Sequence, residues 1–251
     1  MAHTIVSFSE SLDPAGAEVF LAAVPDQQVR TEGDDLVVPN INNVIGAYAC
    51  LGTTGVLAKL VSPKLRRENP YQISKTFLGL VAAGSSYFGM HPQSPIPLDI
   101  NESLNAQVNA DPAAAEQLSV VVFMAPGQVN PVQGALISVR FSATVTLVAG
   151  QYAFANIDLV DELPVGNYNI VGGDMIIPNG VAFRFVPVGD ALRPGAPTRG
   201  TVGEEQDMIF RRGNLGVWTS FNTTQLPSIE VLGSAATAAT QYFGTMDVIP
   251  S

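Results

Sequence analysis

From Ala135 to Val148 the chain alternates without a break. Ala135, Ile137, Val139, Phe141, Ala143, Val145 and Leu147 are apolar; between them lie Leu136, Ser138, Arg140, Ser142, Thr144, Thr146 and Val148, mostly polar or β-branched. Successive side chains of a strand point to opposite faces, so this pattern writes one dry face and one wetter face, and no helix would gather those apolar residues into one stripe. At ~3.3 Å per residue the segment would span ~45 Å, long for a strand. Ile96 to Asn109 repeats the pattern, with Ile96, Leu98, Ile100, Leu104, Ala106 and Val108 alternating with polar residues and Glu102 breaking the apolar set. Two long half-buried strands predict an all-β chain, an antiparallel β-sandwich or barrel.

The rest of the chain agrees. Thr4–Phe8, Leu36–Val38, Leu118–Met124, Tyr152–Leu159, Gly166–Val171, Val181–Val186, Gly216–Phe221, Ile229–Leu232 and Tyr242–Ile249 read as strands. Val44–Leu51 and Gly55–Val61 flank Gly52-Thr53-Thr54-Gly55, a hairpin candidate, and Asn179-Gly180 between apolar runs is the strongest hairpin signal in the chain. Asp13-Pro14 and Asp111-Pro112 each read as an N-cap with proline at the first helical position, predicting short helices to about Ala23 and Gln117. Phe77–Met90 fits either helix or strand. No repeat of fixed period is visible. The 251 residues are expected to form one sandwich domain with an extended N-terminal arm, the alternative being two small β domains of about 1–130 and 131–251.

Charge is scarce. Asp, Glu, Lys and Arg make up 14% of the chain, against about 25% in ordinary soluble domains, while 47% is apolar and the mean hydropathy is +0.25. Interface cores are depleted in Lys, Glu and Asp, so the missing charge points to an exterior covered by other subunits. The net charge of −10 argues against a broad nucleic-acid footprint. Its distribution is uneven: seven acids and one base occupy the first 35 residues, whereas Lys59, Lys64, Arg66, Arg67 and Lys75 crowd a short stretch whose only acid is Glu68. That stretch is either a solvated loop or a docking patch for an acidic neighbour, such as the N-terminal segment of another copy. Arg211, Arg212 and Trp218 are further interface candidates, Trp218 and Phe221 being expected on opposite faces of one strand, one in the core and the other an anchor or a sugar platform.

Catalytic chemistry finds no purchase. With only His3 and His91, a histidine-rich metal site and a Ser-His-Asp triad lack members, and no phosphate-cradling glycine motif occurs. The clusters Asp158/Asp161/Glu162 and Glu204/Glu205/Asp207 read as solvated turn charges rather than a glycosidase pair. His3 is expected in a mobile terminus and Cys50 as a buried, inert thiol; the sequons at Asn101 and Asn222 carry no weight without a secretory route. No basic-plus-apolar leader is seen, and Val44–Ala58 is too short and too glycine-broken to span a bilayer. No enzyme, cofactor, metal or small-molecule substrate is expected.

Together with the proline-rich connections and the segment Leu163–Gly173 running on to Ala182-Phe183-Arg184-Phe185, these features resemble a jelly-roll coat protein of an icosahedral virus or bacteriophage. The resemblance implies a structural protein that self-assembles into a shell, its loops and faces tiling against copies of itself and other virion proteins, with an arm reaching across the contact. Its place would be the virion, assembled in the host cytoplasm. The length favours a single roll with elaborated loops. The alternative is a carbohydrate-binding or adhesin-type sandwich with Trp218 and loop carboxylates at the sugar site.

Overall fold

The computed structural model describes residues 3–26, 30–38, 40–52, 55–65, 71–73, 76–77, 91–201 and 208–251. Of the described residues, 54% are in strands. In order, the strands are β1 (Thr4–Leu12), β2 (Glu18–Leu21), β3 (Arg30–Glu32), β4 (Asp35–Val37), β5 (Asn43–Cys50), β6 (Gly55–Val61), β7 (Tyr71–Ile73), β8 (Thr76–Phe77), β9 (Ile96–Pro97), β10 (Ser103–Ala110) and β11 (Glu116–Ala125). They continue as β12 (Ile137–Val145), β13 (Tyr152–Leu159), β14 (Asn167–Ile176), β15 (Gly180–Val186), β16 (Gly195–Pro197), β17 (Thr219–Asn222), β18 (Ser228–Gly233) and β19 (Thr240–Pro250). Among the described residues there is no α-helix and no helix long and apolar enough to cross a membrane; a 3-10 turn spans Met208–Phe210.

The alternating segments behave as their pattern requires. On β12, Val139, Phe141, Ala143 and Val145 are buried, while Ser138, Arg140 and Thr144 face out. The strand is nine residues rather than fourteen, although Leu147 remains buried beyond its end. The second long segment splits into β9 and β10. Asn101 adopts φ +67° and the Glu102 N–H bonds back to the Asp99 carbonyl at 3.3 Å, the local turn that Asp and Asn favour, and Ile100 is left exposed.

Both expected helices are absent. Asp13 does accept a hydrogen bond from the Ala15 N–H at 2.9 Å, as a cap would. Ala15 (φ +49°) and Gly16 (φ +74°) then turn the chain back, and β2 pairs with β10. At the second site Ala113, Ala114 and Ala115 are exposed, so a helix there would bury nothing, and Glu116 opens β11 instead. Neither expected hairpin forms as a pair. β5 and β6 enter different sheets. The Asn179 turn exists, with φ +64° and a Gly180 N–H to Ile177 carbonyl bond of 2.9 Å, but the chain around Thr198 and Arg199 slips between its two arms and bonds to both.

The N-terminal segment is no free arm. β1 is the edge strand of a sheet, paired with β11 from Thr4↔Met124 to Leu12↔Glu116.

One pairing order occurs twice. Setting aside the β3–β4 hairpin and the short β9, the first half contains eight strands in which β1–β11–β5–β8 are neighbours and β2–β10–β6–β7 are neighbours. In the second half β12–β19–β14–β17 and β13–β18–β15–β16 are neighbours. In each half, then, the first strand pairs with the eighth, the eighth with the third and the third with the sixth; the second pairs with the seventh, the seventh with the fourth and the fourth with the fifth. The halves differ in that β8 runs parallel to β5, whereas β17 is antiparallel to β14. In the second half β12–β13 pairing also joins the two sets into one eight-stranded sheet.

That sheet is rolled. Phe141 on β12 and Phe185 on β15 are three places apart in strand order, yet their rings approach to 6.0 Å. The β1–β11–β5 sheet is buried on both faces. Val6, Phe8, Ala47, Ala49, Val120 and Val122 pack onto Leu60, Leu104, Ala106 and Val108 of the other first-half sheet. Ile5, Ile45, Tyr48, Val121 and Phe123 share a second cluster with Phe141, Phe183, Phe185 and Trp218. Phe123→Ala, which opens a void where the halves meet, is expected to cost about 3–5 kcal/mol, read as a lowered urea midpoint.

Candidate functional site

The residues expected at an interface are mostly engaged inside the chain. Lys59 on β6 pairs with Glu18 on β2 at 2.7 Å, so one of the N-terminal acids does meet the basic stretch, but within one molecule. Lys64 pairs with Asp99 at 3.2 Å. Arg66, Arg67 and Lys75 lie outside the described residues, as do Glu204, Glu205 and Asp207. Asp161 is bound in a fork by Arg140, with contacts of 2.6 and 3.0 Å.

Arg211 and Arg212 serve a buried carboxylate. Asp247 on β19 is fully buried and accepts from Arg211 Nε and Nη2 (2.6 Å each), Ser138 Oγ (2.7 Å) and the Arg212 N–H (2.9 Å). Burial alone would raise its pKa; those hydrogen bonds outweigh it and hold the carboxyl below the usual 3.8. The arrangement staples the 208–216 loop onto the sheet.

Trp218 requires a correction. It is fully buried, with Phe185 and His3 against its ring, and offers no surface to a partner or a sugar. Phe221 is buried too, because Trp218 precedes β17 instead of alternating within it. His3 is likewise buried, not mobile: its Nε2 is 3.0 Å from the Gly195 carbonyl oxygen and its ring meets Trp218 edge-on at 5.1 Å. Gly195 also lets β16 lie close against β15, since a Cβ there would be 2.0 Å from the Phe183 carbonyl oxygen. Cys50 is buried in the shared core.

The densest polar constellation joins the halves around Arg184, and reading the sequence did not single it out. The signal was present: an arginine between Phe183 and Phe185 on an apolar strand must be buried with partners. Its guanidinium contacts Asp26, Glu230 (Nε to Oε2, 2.7 Å) and the Ile5 carbonyl (3.1 Å), and it sits 3.6 Å over the Tyr152 ring. Tyr152 in turn bonds Ser7 Oγ at 2.7 Å. Burial would lower the Arg184 pKa, but Tyr152, Asp26 and Glu230 outweigh it and raise it; burial pushes the Tyr152 hydroxyl up. These groups line a cleft of about 310 Å³ with Val24, Pro25 and Gln151. With the cation already met by two carboxylates, the constellation acts as a clamp. Among the described residues no group of three His, Cys, Asp or Glu side chains is placed to hold a metal.

A second cleft, about 320 Å³, opens at the β14–β17 edge between Asn167, Val188, Ser220, Phe221, Asn222 and Gln225.

Two measurements test the joint. Arg184→Met removes the cation that faces Asp26 and Glu230 and is expected to cost about 3–5 kcal/mol, partly recovered by adding Asp26→Asn. Burial pushes the His3 pKa from 6.5 down to about 4, so the unfolded chain binds its proton first as pH falls. The contribution of His3 is complete above pH 6.5 and is lost by about pH 4, a decline of about 3 kcal/mol in urea unfolding that His3→Gln should flatten.

The chain matches no family model, and neither a curated protein nor a solved structure is significantly similar to it.

Proposed function

We propose that this chain is a shell-forming structural protein, a capsid subunit of a virus or bacteriophage built from two jelly rolls. The observation that carries this reading is the recurring pairing order: eight strands in two four-stranded sets, ordered first-eighth-third-sixth and second-seventh-fourth-fifth, is the order of a jelly roll. Jelly rolls also serve lectins and cupins, so fold alone does not decide.

The surface favours assembly among these. Among the described residues, Arg30, Lys59, Lys64, Arg140, Arg184, Arg199 and Arg211 all pair with carboxylates of their own chain, which leaves Arg193 and Arg212 as the described cations outside such pairs. Large apolar side chains nevertheless face outward, among them Phe154 (59% exposed), Phe243 (54%) and Val165 (86%). Copies of the chain covering such residues would gain apolar burial. Repeated weak contacts of this kind close into a shell because many must break together.

Contacts of this character strengthen with salt. Purified protein is expected to sediment far above its 26.4 kDa and to assemble further as salt and concentration rise, with particles visible by negative-stain microscopy. Phe154→Glu combined with Phe243→Glu should suppress assembly while leaving the far-ultraviolet circular dichroism unchanged. A monomer that persists at high protein and salt concentration would overturn the reading.

A further inference from the structure

We propose that the cleft at the β14–β17 edge binds a neutral saccharide. Its floor and rim are built for that chemistry. None of its lining side chains, that of Ser251 included, is ionisable, so an anionic ligand would find no cation to pair with. Sugar hydroxyls both donate and accept, and side-chain amides do the same. Phe221, stacked on Tyr168 with ring centres 6.0 Å apart, backs the cleft, and Val188 stands 60% exposed at its rim, an apolar surface for the C–H face of a pyranose ring. The volume, about 320 Å³, lies at the small end of ligand sites and suits one or two rings.

The amides are preoriented. Asn222 donates from Nδ2 to Asn167 Oδ1 at 2.8 Å, and its Oδ1 accepts from the Thr224 N–H (2.9 Å) and hydroxyl (2.7 Å). Ser220 Oγ donates to Asn169 Oδ1 at 2.6 Å. This network commits both ends of the Asn222 amide, so the Asn222-Thr223-Thr224 sequon is a structural element of the cleft wall. It leaves the Asn167 amide nitrogen and the Gln225 side-chain amide without a hydrogen bond to any described residue and open to a ligand. Both residues are exposed, and a hydroxyl reaching them displaces only water.

The site does not rest on the shell reading, since it lies within one chain. The test is saturation-transfer NMR and titration of the full chain, assembled or not, with glucose, galactose, mannose, N-acetylglucosamine, lactose, cellobiose and, as the charged control, glucuronic acid. At least one neutral sugar should bind with a Kd on the order of millimolar, and glucuronic acid more weakly. Gln225→Ala and Val188→Asp, both at exposed positions where the fold tolerates change, should each weaken binding about tenfold or more, with circular dichroism unchanged. Binding by none of the neutral sugars, stronger binding of glucuronic acid, or variants that bind as the parent does would each overturn the assignment.

Discussion

A sheet with water on neither side organises this molecule. β11 carries Leu118, Val120, Val122 and Met124 into one core and Val121 and Phe123 into the other, so its run of apolar residues is continuous where a half-buried strand would alternate. β1 and β5 flank it and share both burials. Because the same strands close the first core and form a wall of the second, the halves cannot separate without exposing Ile5, Tyr48, Val121 and Phe123 together. Most polar groups that cross this joint find partners there, His3 Nδ1 and Trp218 Nε1 being exceptions. The Arg184 clamp, the His3–Gly195 contact and the hydrogen bond from the Tyr48 hydroxyl to the Val181 carbonyl at 2.5 Å are the result.

The repeated pairing order explains how a low-charge chain of this size can be stable on its own scaffold. Each half folds eight strands into two sets whose apolar faces meet, and long-range pairings between first and last strands close each set. Charged residues are then placed where geometry consumes them: Asp247 under the 208–216 loop, Asp174 against Arg199 and Asp26 against Arg184. What remains outside is amide, hydroxyl and scattered apolar surface, with carboxylates such as Asp13, Asp34, Asp158 and Glu162 among them. Such a surface suits contact with copies of itself and recognition of uncharged hydroxylated ligands, and the two proposed roles draw on different parts of it.

Reading the residues located the individual strands well and their partners poorly. β12, β13, β15, β18 and β19 lie close to where alternation places them, since side-chain period is a local property. The helices drawn at Asp13 and Asp111 failed because capping chemistry is also local and is equally content with a turn: at the first site Ala15 and Gly16 at positive φ reverse the chain, and at the second the exposed Ala113, Ala114 and Ala115 give a helix nothing to bury. The Asn179-Gly180 turn formed as its residues dictate, yet a segment from twenty residues further on came between its arms. Of the candidate site residues, Lys59, Lys64, Arg211 and Arg212 proved to be placed by partners inside the chain, and Trp218 by the core.

The sequence by itself determined that this chain is all-β, which strand faces are dry, and that its exterior carries unusually little charge. These follow from side-chain period and composition, which no partner strand can alter. Only the tertiary structure decided that the fold repeats one pairing order twice, that the basic stretch and the acidic N-terminal segment meet within one molecule, and that Arg184 and His3 join the halves. Those outcomes depend on contacts between residues far apart in the chain, such as Arg184 with Ile5 and His3 with Gly195, and a pattern read along one strand carries no information about which distant strand will lie beside it.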